Sequence, residues 1–482
     1  MILIFFVITP IAAAFLIGLA GRYVKNFSDS AANLTTVILF AASLYTLNLV
    51  NTCHILVYKI GGWLPPAGIC VVADGLAVFM LVTVNLISLL VMIYSINYMN
   101  SYTEKWKFHA LYMLMLVGMN GVIISGDLFN LYVFLELASI SAYALVAFGT
   151  EASSLEAAFK YAIMGSIASL FILLGIALLY SYTSTLSMFD IAAVLAGKPR
   201  AFLINFVSVL FLAGFALKAA LVPFHAWLPD AHSSAPTPVS ATLSGVFIKT
   251  LGIYAMLRVF FSVIGATSNL LLVLMVLGLV SMIAGAFLAI AQNDMKRMFA
   301  YSSISQVGYI IIGLGCGSLI GIAGAAFHLF NHSIFKSLLF INSAAVESQT
   351  GSRNMDKLSG LAAKMPLTAV TSVMASLSAA GLPPLAGFWS KLIIIMALWI
   401  SGHYIYALIA VLASILTLAY FLLMQRKIFF SEPNQELSGI KEAGFGFSLA
   451  SIILASIIAV VGVAFPFLVN SIFVPFWNFL GV

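Results

Sequence analysis

Long apolar stretches, most of them near the length a helix needs to cross a hydrocarbon core, follow one another along the chain with short polar gaps. They centre on residues 1–20, 31–50, 71–95, 109–125, 127–149, 158–180 and 203–222. They continue at 238–262, 270–291, 299–315, 321–345, 365–398, 403–427 and 447–473. This pattern predicts an all-α polytopic membrane protein of about 14 transmembrane helices. No linker separates the runs, so residues 1–482 read as a single transmembrane domain. Turn chemistry interrupts two spans. The seventh breaks between Lys218 and Pro223 and runs on into a proline-rich loop, and the twelfth breaks at Gly381-Leu-Pro-Pro384. Proline lacks the backbone donor and clashes with the preceding turn, so both spans are expected to be discontinuous. The breaks lie five helices apart, an odd separation that reverses orientation, as an inverted five-helix repeat around a central ion site requires.

Composition agrees with this reading. The 482 residues are 63% hydrophobic and 7% charged, against about 25% charged in soluble domains, and the mean hydropathy is +1.14. The net charge of +6 is no nucleic-acid signal, because most basic residues cluster at helix ends. Of the 21 Lys and Arg residues, thirteen fall at loops and ends after odd-numbered spans: Arg22, Lys25, Lys105, Lys107, Lys160, Lys296, Arg297, Arg353, Lys357, Lys364, Arg426, Lys427 and Lys441. Four (Lys59, Lys198, Arg200 and Arg258) fall on the other side. By the positive-inside rule the odd loops are cytoplasmic, which puts both termini on the outer side of the cell (inner) membrane. The first run lacks the positive n-region of a secretory signal and reads as a retained helix. Cys53, Cys70 and Cys316 form no metal or redox spacing.

The remaining four basic residues change the picture. Lys218, Lys249, Lys336 and Lys391 lie inside apolar spans, as does Glu136. A charge at the centre of a bilayer helix costs about 2.5–3.5 kcal/mol even on the lenient insertion scale, so these groups must have partners, water or a task. Around Glu136, Tyr132, Ser139 and Tyr143 complete a polar stripe on one helical face. His328, His332 and Lys336 are spaced four apart and line one face of another helix. Imidazole titrates near neutral pH and both gives and takes protons. Asp74, Asp127 and Glu347 sit near span ends and read as interfacial, whereas His225, Asp230 and His232 read as loop residues that cap or pin it. Their spacing fits no zinc pattern, and no metal or cofactor motif is present.

The stretches LFNLYVFLELASISAYAL around Glu136 and KAALVPFHAWLPDAHSSAPTPVSA from Lys218 are distinctive. So are SGVFIKTLGIYAMLR around Lys249, KRMFAYSSISQVGYI from Lys296 and FHLFNHSIFKSLLF. Over roughly residues 70–430 the chain resembles the antiporter-like membrane subunits of respiratory complex I, the D-type subunits of multisubunit Na⁺/H⁺ antiporters and the ion-pumping subunits of membrane-bound hydrogenases. The resemblance implies helices 4–8 (residues 109–262) and 9–13 (residues 270–427) as two inverted repeats, with helices 7 and 12 broken. It also implies a proton-relay role for Glu136, Lys218, Lys249, His328, His332 and Lys391. Lysine at 391 departs from one complex I subunit, which has glutamate there, and the chain is not expected to carry the long lateral helix of the largest pump subunit. What remains is similar to an antiporter D-type or hydrogenase-type subunit.

The expected function is therefore proton translocation within a multisubunit antiporter, hydrogenase or complex I-like assembly. Protons would pass through Glu136, Lys218, Lys249, His328, His332, Lys336 and Lys391 near the membrane midplane. Burial disfavours an ammonium and a nearby carboxylate favours it, so loosening a Glu136–Lys218 pair would release a proton toward Lys249. The chain is expected to carry no redox chemistry of its own, and the expected partners are other membrane subunits, lipid and protons, with H⁺ and Na⁺ the alternatives for the whole complex. The alternatives are a stand-alone cation/proton antiporter and a non-translocating scaffold; a quinone-binding enzyme has the least support. The charge bias predicts that an alkaline phosphatase fused after residue 59 is active outside the cell, whereas one fused after Lys107 is inactive. The reverse activities would overturn the orientation.

Overall fold

The computed structural model describes residues 1–197, 200–433, 437 and 439–479, with side chains described to residue 467. Lys198 lies outside the described residues. The chain is a helical bundle in chain order α1 (Ile2–Ala20), α2 (Phe27–Cys53), α3 (Gly75–Tyr98), α4 (Lys105–Ile124), α5 (Leu128–Val146), α6 (Ala152–Thr183), α7 (Met188–Ala196), α8 (Phe202–Lys218) and α9 (Trp227–Ser234). Next, α10 (Thr237–Thr242) runs into π-helical stretches at Leu243–Phe247, Lys249–Tyr254 and Arg258–Val263, with the single turn α11 (Ala255–Leu257) before the last. The bundle ends with α12 (Ser268–Ile290), α13 (Met295–Gly315), α14 (Leu319–Thr350), α15 (Pro366–Ala380), α16 (Ala386–Ile400), α17 (Tyr404–Gln425) and α18 (Phe445–Phe479). Among the described residues, 11 helices are long and apolar enough to cross a membrane. Three more, Phe202–Lys218, Pro366–Ala380 and Ala386–Ile400, are apolar but shorter. α14 is long enough, but its histidines, asparagines and lysine lower its hydropathy.

The distribution of side chains is that of a protein solvated by lipid. Phe5 and Leu16 of α1, Phe159 and Leu170 of α6, Val276 and Phe287 of α12, and Leu408 and Ile415 of α17 are exposed, while serines, threonines, histidines and lysines are buried. Small residues bring helices together where no hydrophobic force between them exists. A Cβ on Gly278 of α12 would stand 2.7 Å from Ile312 N of α13, and one on Gly118 of α4 would stand 2.5 Å from Ala138 N of α5. The helix starts carry side-chain caps: Asp127 accepts from Asn130 N, Asp294 from Arg297 N and Ser318 from Gly321 N.

Both expected breaks are present. α8 ends at Lys218, and Ala220 adopts φ +55°, a left-handed conformation that is strained for a residue with a Cβ. α15 ends at Gly381 (φ +85°) and the chain resumes as a helix at Ala386. Freed backbone groups in a membrane need partners within the protein. Val222 N donates to Ser281 Oγ at 2.9 Å, and Leu217 O accepts from Trp227 Nε1 at 3.2 Å. At the second break Ala386 O accepts from Asn331 Nδ2 at 3.0 Å.

Two expectations need correction. Residues 70–73 do not begin the third span: they form β2 (Cys70–Ala73), paired antiparallel with β1 (Leu56–Lys59), with Leu56 opposite Ala73. Apolar β-branched residues such as Val71 and Val72 satisfy a hydropathy window equally as strand or helix. The segment holding Asp230 and His232 is no loop but α9, which Asp230 pins through Lys160 at 3.1 Å and Arg297 at 2.8 Å.

Asp74 caps α3 by accepting from Ala77 N and meets Arg258 in a forked ion pair; Arg258 Nη1 lies 2.6 Å from Oδ2. Arg258 Nε also donates to Tyr254 Oη, which donates to Ile123 O, so the pair ties α3, α4 and the last π-helical stretch together. Burial pushes the Asp74 carboxyl up, but Arg258 outweighs it and holds the group below the usual carboxylate range. A depressed folded-state pKa contributes stability that is lost as pH falls through it, so the pair weakens only under strong acid. Removing one partner of a buried pair costs about 3–5 kcal/mol, and removing both costs less. Arg258→Met should therefore lower the melting temperature in detergent, and Arg258→Met with Asp74→Asn should recover part of the loss; equal melting for all three proteins would refute this role.

Candidate functional site

α5 places Glu136 mid-helix, where Oε1 accepts a hydrogen bond from Ser169 Oγ of α6. The same oxygen lies 3.6 Å from Lys218 Nζ at the end of α8. Lys218 in turn donates to Ser139 Oγ at 2.8 Å, one helical turn from Glu136, so the expected stripe on α5 meets the lysine. Tyr143, also in that stripe, packs edge-on against Tyr161 at 4.6 Å, and Tyr161 stacks on Trp227 of α9 at 4.1 Å. The Lys218 side chain is 2% exposed and that of Glu136 25%. The carboxylate therefore stands where this polar row reaches the surface of the chain.

Lys249 is fully buried, and local backbone geometry receives it. In the π-helical stretch before it, Ile248 N reaches back five residues to Leu243 O, so the carbonyls of the next turn are displaced from ordinary α-helical pairing. Lys249 Nζ folds back along its own helix and donates to Ser244 O and to Gly245 O, the latter at 2.6 Å. Gly245 has no Cβ, which leaves room for Ser337 Oγ of α14. Ser244 Oγ shares a 2.8 Å hydrogen bond with Ser303 Oγ of α13.

α14 carries the three groups expected on one face. Lys336 Nζ donates to Phe299 O at 3.0 Å and to Ser302 Oγ, and sits 5.9 Å above the Phe299 ring and 5.7 Å above that of Phe421. His332 is buried with neither ring nitrogen partnered among the described residues. Its ring centroid is 6.4 Å from that of His328. His328 Nε2 lies 3.2 Å from Gln306 Oε1 and Nδ1 2.9 Å from Ser390 Oγ. Ser390 Oγ also donates to Gly387 O at 3.1 Å. Ser390 immediately precedes Lys391 on α16. Lys391 Nζ donates to Ser414 Oγ at 3.3 Å and to Ala380 O, at the broken end of α15, at 3.5 Å. It also stands 4.3 Å above the Tyr309 ring, whose hydroxyl donates to Ala410 O at 2.6 Å.

Of the seven residues singled out from sequence, Lys218, Lys249, His328, His332, Lys336 and Lys391 are buried in the bundle and Glu136 is partly exposed. Of the four intramembrane lysines, Lys218 alone has a carboxylate within 4 Å among the described residues. One buried titratable residue was missed. His232, read as a loop residue, is fully buried on α9, with both ring nitrogens unpartnered among the described residues and its ring 5.0 Å from that of Phe340. A signal was present: Leu228, Ala231 and His232 stand at helical spacing and share the buried face of a short helix. Lys296, assigned to a basic loop, is also buried; it donates to Ala235 O at 3.0 Å and lies 3.7 Å from Glu347. No cluster of three or more His, Cys, Asp or Glu side chains suited to a metal occurs among the described residues.

Residues 125–417 match the family model described as NADH:quinone oxidoreductase/Mrp antiporter, TM, and residues 66–109 match that described as NADH-Ubiquinone oxidoreductase (complex I), chain 5 N-terminus. The N-type subunit of the NADH-quinone oxidoreductase of Desulforudis audaxviator is 40% identical over 369 residues, covering 76% of this chain and 73% of that protein. The D-type subunit of the Na⁺/H⁺ antiporter of Alkalihalophilus pseudofirmus is 34% identical over 419 residues, covering 86% and 84%. Among solved structures, a chain of the Mrp complex from Dietzia sp. superposes with a TM-score of 0.91 at 26% identity, covering 99% of this chain and 96% of that one. A chain of the membrane-bound sulfane sulfur reductase, an archaeal respiratory membrane complex, gives 0.90 at 29% identity, covering 99% and 96%. With a matched region of more than half its length and relatives at this identity and coverage, the chain belongs to the NADH:quinone oxidoreductase/Mrp antiporter transmembrane family.

Proposed function

We propose that protons cross this chain along the row Glu136, Lys218, Lys249, Lys336, His332, His328 and Lys391, with His232 as a further member. The chain is a proton-translocating subunit of a multisubunit membrane complex, like its relatives in Mrp antiporters and complex I. The observation that carries the proposed path is the buried Lys218 ammonium, 3.6 Å from Glu136, continued by titratable groups that lack countercharges. A carboxylate partner favours the charged lysine. When Glu136 moves away, the Lys218 ammonium loses the countercharge that holds its proton, which passes to Lys249, and His332, whose ring nitrogens are open, carries it on through His328 toward Lys391. An ammonium has no lone pair to offer Na⁺, so the row favours H⁺ over Na⁺ as its cargo.

Glu136 also favours a module over a stand-alone antiporter. Val133 and Ile140, three residues before and four after it, are exposed, so the carboxylate lies in an apolar lipid-depth face of α5. A charge in that position calls for a cover from a neighbouring membrane subunit. The finer architecture belongs to the same proposal: fourteen membrane-crossing helices, counting α8–α9 and α15–α16 as one broken helix each. Residues 109–262 and 270–427 form the inverted repeats, and both termini lie outside. Supporting the repeats, each begins with a closely packed pair, α4–α5 through Gly118 and α12–α13 through Gly278, and each contains a broken helix.

Glu136→Gln and Lys218→Met should each lower proton transport by the assembled complex in inverted vesicles at least tenfold, with the subunit still present by native gel. Full transport in either variant would remove the relay. His232→Phe keeps the ring volume and should also cost at least tenfold; unchanged transport would return His232 to a packing role. The purified chain alone should exchange no ions across a liposome membrane, and robust exchange would favour the stand-alone antiporter.

A further inference from the structure

A second polar line leads to Lys391 and is not used by the row from Glu136. Thr368, Ser372, Ser376 and Ala380 are spaced four apart on one face of α15, and the three hydroxyl-bearing residues are buried. The twelve steps of helix from Thr368 to Ala380 rise about 18 Å, more than half of a hydrocarbon core about 30 Å thick. At the end beside the basic connection 351–364, the Glu442 carboxylate accepts from Leu367 N at 2.9 Å, Thr368 N at 3.4 Å and the Thr368 hydroxyl at 2.5 Å. At the other end Ala380 O receives Lys391 Nζ. Between them, Gln425 Nε2 of α17 donates to Ser372 Oγ and to Ser376 Oγ, both at 2.8 Å, and its own Oε1 is buried with no partner among the described residues.

A hydroxyl that only fills space in a membrane helix commonly returns its proton to a carbonyl three or four residues back. Thr371 does so to Leu367 O and Thr417 to Ala413 O. Among the described hydrogen bonds, neither Ser372 nor Ser376 does; each accepts from Gln425, which leaves its hydroxyl proton free to pass onward. Hydroxyls one turn apart, about 6 Å, are within the span of a single water making two hydrogen bonds of about 2.8 Å each, the position that the Gln425 amide takes between Ser372 and Ser376. The charged groups at this line are Glu442 and Lys391, at opposite ends. The other polar groups that neighbouring elements bring to α15 here are neutral: Asn342 of α14, bonded to Thr371, and Gln425.

We infer that this face of α15 is a separate proton path between Lys391 and the basic face of the membrane, with Glu442 at its mouth and Thr368, Ser372, Ser376 and Gln425 as its lining. The inference rests on the reading that Lys391 exchanges protons. Lys391 then has two connections, one along the membrane through His328 and one across it through α15.

The test is water access, which needs no transport to be read. In the assembled complex, with Cys53, Cys70 and Cys316 of this chain replaced by alanine, Ser372→Cys and Ser376→Cys are exposed to a membrane-impermeant methanethiosulfonate. It is applied to right-side-out or inverted vesicles, and adducts are read by mass spectrometry. Such reagents attack the thiolate, which forms in a wetted path and not in dry packing. Both cysteines should be modified from the side bearing Arg353 and Lys364 only, at least tenfold faster than Ala375→Cys, a buried position off this line. Modification of neither, or from the opposite side, would overturn the path. Labelled cysteines with an inert Lys391→Met phenotype would instead sink the reading of Lys391 and leave a wetted path without its terminus.

Discussion

An ammonium has no resting place in hydrocarbon, and this constraint organises the bundle. Effective burial of an ion costs several kcal/mol, while a hydrogen bond to a charged group returns about 1.5–3 kcal/mol. The fold meets the demand differently at each lysine. Lys218 has a serine and a carboxylate, and Lys249 has carbonyls displaced by π-helical turns. Lys336 has a carbonyl, a serine and two aromatic faces, and Lys391 has the end of a broken helix and the face of Tyr309. Three of these four sets contain no carboxylate among the described residues, so they hold an ammonium only loosely. Loose holding suits the proposed path, in which each of these groups gives up its proton.

The backbone obeys the same constraint, and the two demands meet at the breaks. A broken helix frees carbonyls and amides that lipid cannot satisfy. Ser281 and Trp227 take those of the first break, and Asn331 and Lys391 those of the second. Lys391 is thus both a proton carrier in the proposed path and a cap on α15, so a change in its charge is felt by the end of a helix that runs to the basic face. The left-handed Ala220 beside Lys218 shows that the first break is held against a local preference by its surroundings.

Much of this was legible in the residues. Runs of apolar side chains near membrane length located the helices, because crossing lipid demands both length and internal hydrogen bonding. Pro223 and Pro383 marked the breaks. A charge inside an apolar run is so costly that Glu136, Lys218, Lys249, Lys336 and Lys391 identified themselves, and four-residue spacing put His328 and His332 beside Lys336. The β1–β2 hairpin was not legible, since hydropathy does not distinguish a short apolar strand from the start of a helix.

Sequence alone therefore determined that the chain spans a membrane many times, which charges lie inside its apolar runs and where its helices break, since each follows from the cost of a local feature in lipid. Tertiary structure alone decided which groups meet: Ser169 and Lys218 on Glu136, Ser390 and Gln306 on His328, and Gln425 between Ser372 and Ser376. It also turned His232 inward, from a segment that reads as a polar loop. Such contacts join side chains far apart in the chain, and one polar residue in a helix does not encode the neighbour that packing will bring to it.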